Sequence, residues 1–299
     1  MPRLLRRLLV SELALAAVAY AGAGLYLKVN EEKLVFQPLI LDGDRFNVPP
    51  DSLRVQPVRF AAKDGASLAG WIIPPAKPDS SALWVLVCHG NAGNITYVSR
   101  LDFYARLRAL GVGVLAYDYR GYGESEQRPI NEEGVYLDAR AAYEYLRHVR
   151  GIPPNRIVIF GHSLGTGVAV ELAAGNEAAG LVLEDSYTSI PDLGQERYPF
   201  LPVKFIAANR FDTINKIDRI SMPKLFMSAE DDAVIPFAHG RAVFEKAKQP
   251  KQFVTLRGGH IDAFKLDPLY WTSFGTFVQQ LAADQATVPE SPAPTRTGR

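Results

Sequence analysis

A single cysteine, Cys88, stands in 299 residues, which excludes an intramolecular disulfide and a cysteine-rich metal site. A surplus of charge is missing too. Thirty-three basic residues against 32 acidic ones leave a net charge of +1, so the composition writes in neither a nucleic-acid-binding field nor an acidic disordered chain. No segment repeats along the chain. What is present is ordinary globular composition, 47% hydrophobic and 22% charged, enough for one large core or two small ones.

One stretch concentrates the chemistry. Ile157 to Phe160 is a β-branched and aromatic run, Gly161-His162-Ser163-Leu164-Gly165 follows it, and Thr166 to Ala174 is compatible with a helix. The pattern predicts strand, sharp turn, helix. Such a turn strains the serine backbone and leaves almost no room for side chains beside it, a need that Gly161 and Gly165 meet. The Ser163 hydroxyl would then stand at the sheet edge. The N–H of Leu164, at the helix start, would face the same space and receive negative charge developing on a substrate oxygen. The plain alternative is a tight connection with an incidental serine.

A serine hydroxyl is a weak nucleophile until a base takes its proton, and the base needs a partner to fix its tautomer. Of five histidines, only His260, in Arg257-Gly258-Gly259-His260, sits in a glycine-permitted loop directly after a strand candidate and downstream of an acid. His89 lies in another loop, His162 in the turn itself, and His148 and His239 in helix candidates. For the acid, Asp232 in Ser228-Ala229-Glu230-Asp231-Asp232 is favoured, with Asp231 and Asp185 also near strand ends. The second oxyanion donor is expected at the Asn91 N–H, in His89-Gly90-Asn91-Ala92-Gly93-Asn94 between a strand and a helix. That loop lacks the Lys and Ser/Thr of a P-loop and is not G-x-G-x-x-G, which argues against nucleotide. The acidic pair at 231 and 232 has no neighbouring His or Cys ligands, so no metal and no cofactor is expected.

The chain opens with a basic segment, residues 1–7, followed by residues 8–27, apolar apart from Ser11 and Glu12 and just long enough to cross a bilayer. Glu12 weakens that reading. A signal peptide cleaved near Ala19-Tyr20-Ala21 or Ala21-Gly22-Ala23, or a surface helix, stays open. Arginines precede the segment and balanced charges follow it, so the positive-inside bias places the bulk of the chain outside the cytoplasm. Residues 28–56 read as a proline-punctuated extended connector. An antiparallel pair, Val58 to Ala62 and Ser67 to Ile73, comes next, then a breaker over Pro74 to Asp79.

From there, strand candidates at 83–88, 112–117, 157–160, 181–184, 225–228 and 252–256 alternate with helix candidates at 96–110, 131–149, 164–174, 237–248 and 268–281. The pattern predicts an α/β fold with one mostly parallel sheet flanked by helices, over residues 57–283. Residues 185–224 are too long for a plain crossover. They read either as a small lid, with Tyr198 and Phe200 overhanging Ser163, or as a helix pair packed on the sheet flank. The tail, 284–299, is expected to be disordered.

The loop Asn91 belongs to, the run Asp118-Tyr119-Arg120-Gly121-Tyr122-Gly123-Glu124-Ser125, the serine turn, Phe226 to Gly240 and Gly259-His260 together resemble the α/β-hydrolases of the serine hydrolase superfamily. More narrowly they are similar to its membrane-anchored, protein-depalmitoylase-like branch. The resemblance spans about Glu32 to Phe277. It implies an α/β-hydrolase fold, a Ser163, Asp232, His260 triad in that chain order, an acyl substrate and membrane attachment, and a structural rather than catalytic turn at Asp118 to Ser125. Asp185-Ser186 departs from the pattern, where an uncharged residue is expected, and keeps the acid open. A tethered binding protein of the same fold, or a peptidase, are the rival functions.

Overall fold

The computed structural model describes residues 3–38, 47–77 and 79–286. The last part of the expected tail, from 287 on, lies outside these residues, as do 39–46 of the connector, Pro78 of the breaker and the first two residues of the basic segment.

Eight strands form one sheet: β1 (Gln56–Ala61), β2 (Ser67–Ile73), β3 (Trp84–Cys88), β4 (Gly113–Tyr117), β5 (Ile157–His162), β6 (Gly180–Glu184), β7 (Lys224–Ala229) and β8 (Lys251–Leu256), in the spatial order β1-β2-β4-β3-β5-β6-β7-β8. β1 and β2 pair antiparallel, β2 joins β4 antiparallel, and the remaining pairs are parallel. Every residue of β3, β4, β6 and β7 is buried, as strands covered on both faces require.

The helices are α1 (Arg3–Val29), α2 (Glu31–Val35), α3 (Val98–Ala109), α4 (Glu132–Glu144), α5 (Leu164–Gly175), α6 (Ile190–Arg197), α7 (Val203–Ile206), α8 (Phe237–Lys246), α9 (Ala263–Leu266) and α10 (Pro268–Ala286). Val135, Ala139, Val168, Leu172 and Val243 carry α4, α5 and α8 onto one core. Leu101, Tyr104, Phe274 and Phe277 carry α3 and α10 onto the other. The predicted α4 runs on to Val149 as a π-helical turn.

β3 and β5 are neighbours, and the crossover from β3 to β4 runs in the opposite direction to that from β5 to β6. At such a reversal the loops after the two strands diverge and leave a crevice at their carboxyl ends. The loop containing Asn91 follows β3 and the turn containing Ser163 follows β5.

Two regions differ from expectation. α1 runs past residue 27, and Leu9–Val29 is long and apolar enough to span a membrane, with none of it buried against the protein. Residues 31–37 are no loose connector. Phe36 is buried, edge-on to Phe211 at 6.0 Å between ring centres, and Gln37 bridges Ala92 in the loop after β3. An apolar ring this large gains more from the core than an extended chain in water can offer.

Candidate active site

Ser163 sits at the turn between β5 and α5 with φ 53° and ψ −125°, a conformation costing a non-glycine residue about 1–3 kcal/mol. The surrounding packing enforces it. A Cβ on Gly165 would come within 2.0 Å of the Cys88 carbonyl oxygen, and one on Gly161 within 2.5 Å of the Gly165 carbonyl oxygen. Only glycine lets β3, the turn and α5 approach this closely. The Ser163 N–H donates to the Glu184 carbonyl at 3.0 Å, tying the turn to β6.

The loop after β8 brings His260 over this serine. Gly258 adopts φ +113°, and the Gly259 N–H donates to Asp262 Oδ1 at 2.6 Å, which curls the loop. His260 Nε2 lies 2.8 Å from Ser163 Oγ and Nδ1 lies 2.7 Å from Asp232 Oδ2. Asp232 Oδ1 accepts the N–H groups of Val234 at 2.7 Å and Ile235 at 2.9 Å. Burial pushes the Asp232 carboxyl up, but the His260 bond and these two N–H groups outweigh it and hold it below the usual carboxylate range.

Among the described residues, the carboxylates within 4 Å of His260 Nδ1 are those of Asp232 and Asp185. Asp185 stands at 3.8 Å, too far for a hydrogen bond. Its Oδ1 is spent on the Ala229 N–H at 2.9 Å and its Oδ2 is buried without a partner. Burial, then the adjacent Glu184, pushes the Asp185 carboxyl well above its ordinary range, opposite in direction to Asp232. Glu184 is pushed up to about 8 by burial, against a hydrogen bond from the Tyr270 hydroxyl at 2.9 Å.

His162, inside the turn, holds the loop that carries His260. Its Nε2 lies 2.9 Å from the His260 carbonyl oxygen and so carries the proton. Burial and then His260 lower its pKa to about 3, which keeps it neutral. His162, Asp185 and His260 offer donor atoms within 4.8 Å of one another, the spacing of a metal site. Both nitrogens of His260 are occupied by Asp232 and Ser163, so a metal there would have to dismantle that chain.

Asn91 lines the space above Ser163, and its orientation is fixed from behind. His89 Nδ1 donates to the Gly90 carbonyl at 2.7 Å, and Arg100 donates to the same oxygen at 3.2 Å. Because the peptide is planar and trans, the Asn91 N–H points away from both donors. Arg100 also bonds the Ala92 and Asn94 carbonyls, at 2.6 and 2.5 Å. The Tyr122 hydroxyl donates to the Asn91 carbonyl at 2.8 Å, and the Tyr119 hydroxyl to that of His89 at 3.0 Å. The run Asp118 to Ser125 therefore acts as a buttress for this loop. Sequence reasoning missed His89 and Arg100 as holders of the loop. A histidine at the end of a buried strand, with an arginine one helical turn beyond the loop, was the available signal. The N–H of Leu164, in the first turn of α5, has no partner inside the helix.

Two cavities meet at Ser163 and Asn91. The smaller, about 230 Å³, includes Arg100, Phe103, His162, His260 and Phe264 in its walls. The larger, about 430 Å³, includes Leu27, Leu34, Leu193, Tyr198, Ile206 and Val234. Tyr198 lines the larger cavity together with Ser163. Phe200 does not: it is 87% exposed and lines neither cavity, because the chain between α6 and α7 turns it outward.

The sequence pattern of the alpha/beta hydrolase family matches residues 85–293. A Mycobacterium tuberculosis protein described as uncharacterised is 34% identical over 259 residues, covering 85% of this chain and 89% of its own. The alpha/beta hydrolase domain-containing protein WAV2 of Arabidopsis thaliana is 30% identical over 292 residues, 90% of this chain and 93% of its own. The lysophosphatidylserine lipase ABHD12 of Danio rerio is 36% identical over 185 residues, 56% of this chain and 48% of its own. Among solved structures, the Pyrococcus furiosus esterase Pf2001 superposes with a TM-score of 0.67 at 19% identity, over 82% of this chain and 97% of its own, a likeness of fold.

Proposed function

The chain belongs to the alpha/beta hydrolase family, and on that premise we propose that it is a serine hydrolase cleaving carboxylic ester or thioester bonds through an acyl-enzyme. The observation that carries this is the continuous chain from ionised Asp232 through His260 to Ser163, at 2.7 and 2.8 Å.

Ser163 Oγ attacks the acyl carbonyl carbon while His260 Nε2 takes its proton, and Asp232 holds the imidazole and balances its charge. The carbonyl oxygen becomes an oxyanion facing the N–H groups of Leu164 and Asn91. Collapse breaks the bond to the leaving oxygen or sulfur, which takes the proton from His260. Water then adds to the acyl-enzyme, gives a proton to His260, and the serine recovers it as the carboxylic acid departs.

The esterase and lipase relatives support a small acyl substrate. The apolar helix Leu9–Val29 supports attachment to a membrane, and the arginines ahead of it support a catalytic body outside the cytoplasm. If the helix acts instead as a signal sequence, both candidate cleavage positions precede Leu27, and residues 27–37 would remain on the body.

The test is labelling with a fluorophosphonate, which reacts quickly only with an activated serine, together with hydrolysis of an acetyl ester. Ser163→Ala should abolish labelling and lower turnover by at least about 10⁴-fold. Labelling or turnover that survives the substitution would remove the proposal. An inert wild-type enzyme would favour a tethered binding protein.

A further inference from the structure

The two cavities at Ser163 are chemically unlike, and the proton route decides what each holds. His260 must reach the leaving atom, so the leaving group has to lie on the His260 side of the tetrahedral carbon. His260 lines the smaller cavity only, whereas Leu164, one of the two oxyanion donors, lines the larger only. The acyl chain therefore extends into the larger cavity, whose volume of about 430 Å³ suits a ligand site.

The walls of that larger cavity come from distant parts of the chain. Leu27, Lys28, Glu31 and Leu34 form one side, α6 and α7 the other. The two sides are stapled together. Lys28 Nζ donates to the Ile206 carbonyl at 3.0 Å, and Glu31 accepts the N–H groups of Ala208 and Asn209 at 2.8 and 2.6 Å. Leu27 is also within the apolar span Leu9–Val29, so the cavity opens where a bilayer surface would lie. Phe205, next to the stapled Ile206, is 91% exposed, an aromatic ring suited to the interface.

We propose that the end of the membrane helix is itself a wall of the acyl subsite, so that the acyl chain of a membrane-resident ester or thioester passes from the bilayer along Leu27 and Leu34 to Ser163. This rests on the serine hydrolase reading. Ser163 forms the acyl ester in the larger cavity while the freed alcohol or thiol, protonated by His260, leaves through the smaller one. Filling the larger cavity removes room for methylenes, each of which contributes up to about a fourfold preference when buried.

The experiment uses the full chain in phosphatidylcholine vesicles and a fluorophosphonate carrying a ten-carbon chain with a terminal diazirine. After reaction at Ser163 and illumination, cross-links should fall on residues 27–35 or 190–206. Cross-links confined to 97–104 or 261–264 would overturn the assignment. Absence of any Ser163 adduct would overturn the serine hydrolase reading instead.

Variants give a second readout. Leu34 is 41% exposed, so Leu34→Trp leaves the core packed, and it should lower the decanoyl-to-acetyl ratio of kcat/KM by at least tenfold. Ser99→Trp, in the smaller cavity, should leave that ratio within about twofold while lowering the rate for bulky alcohol esters. The reverse pattern would overturn the assignment. For the source of the chain, the decanoyl ester rate should rise with its surface fraction in the vesicle at fixed bulk concentration. A rate set by bulk concentration alone would make the substrate arrive from water and overturn the membrane route.

Discussion

The loops after β3, β5, β7 and β8 meet the shell of α1, α2, α6 and α7 across Ser163, and the two are held in different ways. In the loops, each candidate site group is held by short bonds: the Ser163 N–H to the Glu184 carbonyl at the end of β6, Asp232 to the Val234 and Ile235 N–H groups of its own loop, and the Asn91 peptide through His89 and, from α3, Arg100. In the shell, a few polar staples join segments about 178 residues apart, and large apolar groups such as Phe200 and Phe205 stay exposed. Chemistry needs positions fixed to fractions of an ångström, which dense bonding to a buried sheet supplies. A wall that admits substrates has to open, which sparse bonding at the surface allows.

The sharpest way to break the loop side is at its acid. Asp232→Asn should lower kcat on an acetyl ester by on the order of 10⁴-fold, because the amide can no longer hold the imidazole in the right tautomer. Asp185→Asn should cost less than about tenfold, because its carboxyl stands 3.8 Å from the ring nitrogen and one of its oxygens is spent on the Ala229 N–H. A larger loss at Asp185 would move the acid to the loop after β6.

On the shell side, Glu31→Ala removes the acceptor for the Ala208 and Asn209 N–H groups and the Asn209 side-chain amide. These bonds are charge-assisted but partly exposed, so the loss is about 1–2 kcal/mol, a factor of about 5–30 in local opening. Proteolysis within residues 207–210 should accelerate by that factor while Ser163 still labels. Unchanged proteolysis would mean the staple does not hold the wall.

The smallest effect separates the two regions by pH. The Glu184 carboxyl, ordinarily at 4.5, is pushed up to about 8 by burial beneath the loops. Between those values the folded state keeps a proton that the unfolded state has released, so this group lowers stability as pH rises from about 4.5 to about 8. In Glu184→Gln the fall in Tm between pH 5.5 and 8 should shrink by a few degrees. An identical fall in both proteins would assign it to other groups.

Much of this was legible from neighbouring residues alone. The alternation of buried strands with helices, the glycines on both sides of Ser163 and the loop position of His260 are local signals, since periodicity and backbone sterics act between residues close in sequence. Such signals predicted a parallel sheet and a serine turn, and the sheet and turn are there, with strand ends displaced by one or two residues. The same reasoning gave Phe200 a place over the site, because an apolar stretch in an insertion says nothing about which way each ring faces.

The sequence by itself determined the strand–turn–helix at Ser163, the loop position of His260 downstream of several candidate acids, and an apolar helix able to span a membrane. Only the tertiary structure separated Asp232 from Asp185, because a difference of 2.7 against 3.8 Å to one ring nitrogen is set by how β6 and β7 pack. It alone brought residues 27–37 against α7 and the loop after β3, and divided the space above Ser163 in two. Those outcomes depend on contacts between segments far apart in the chain, and a one-dimensional pattern carries no distance between them.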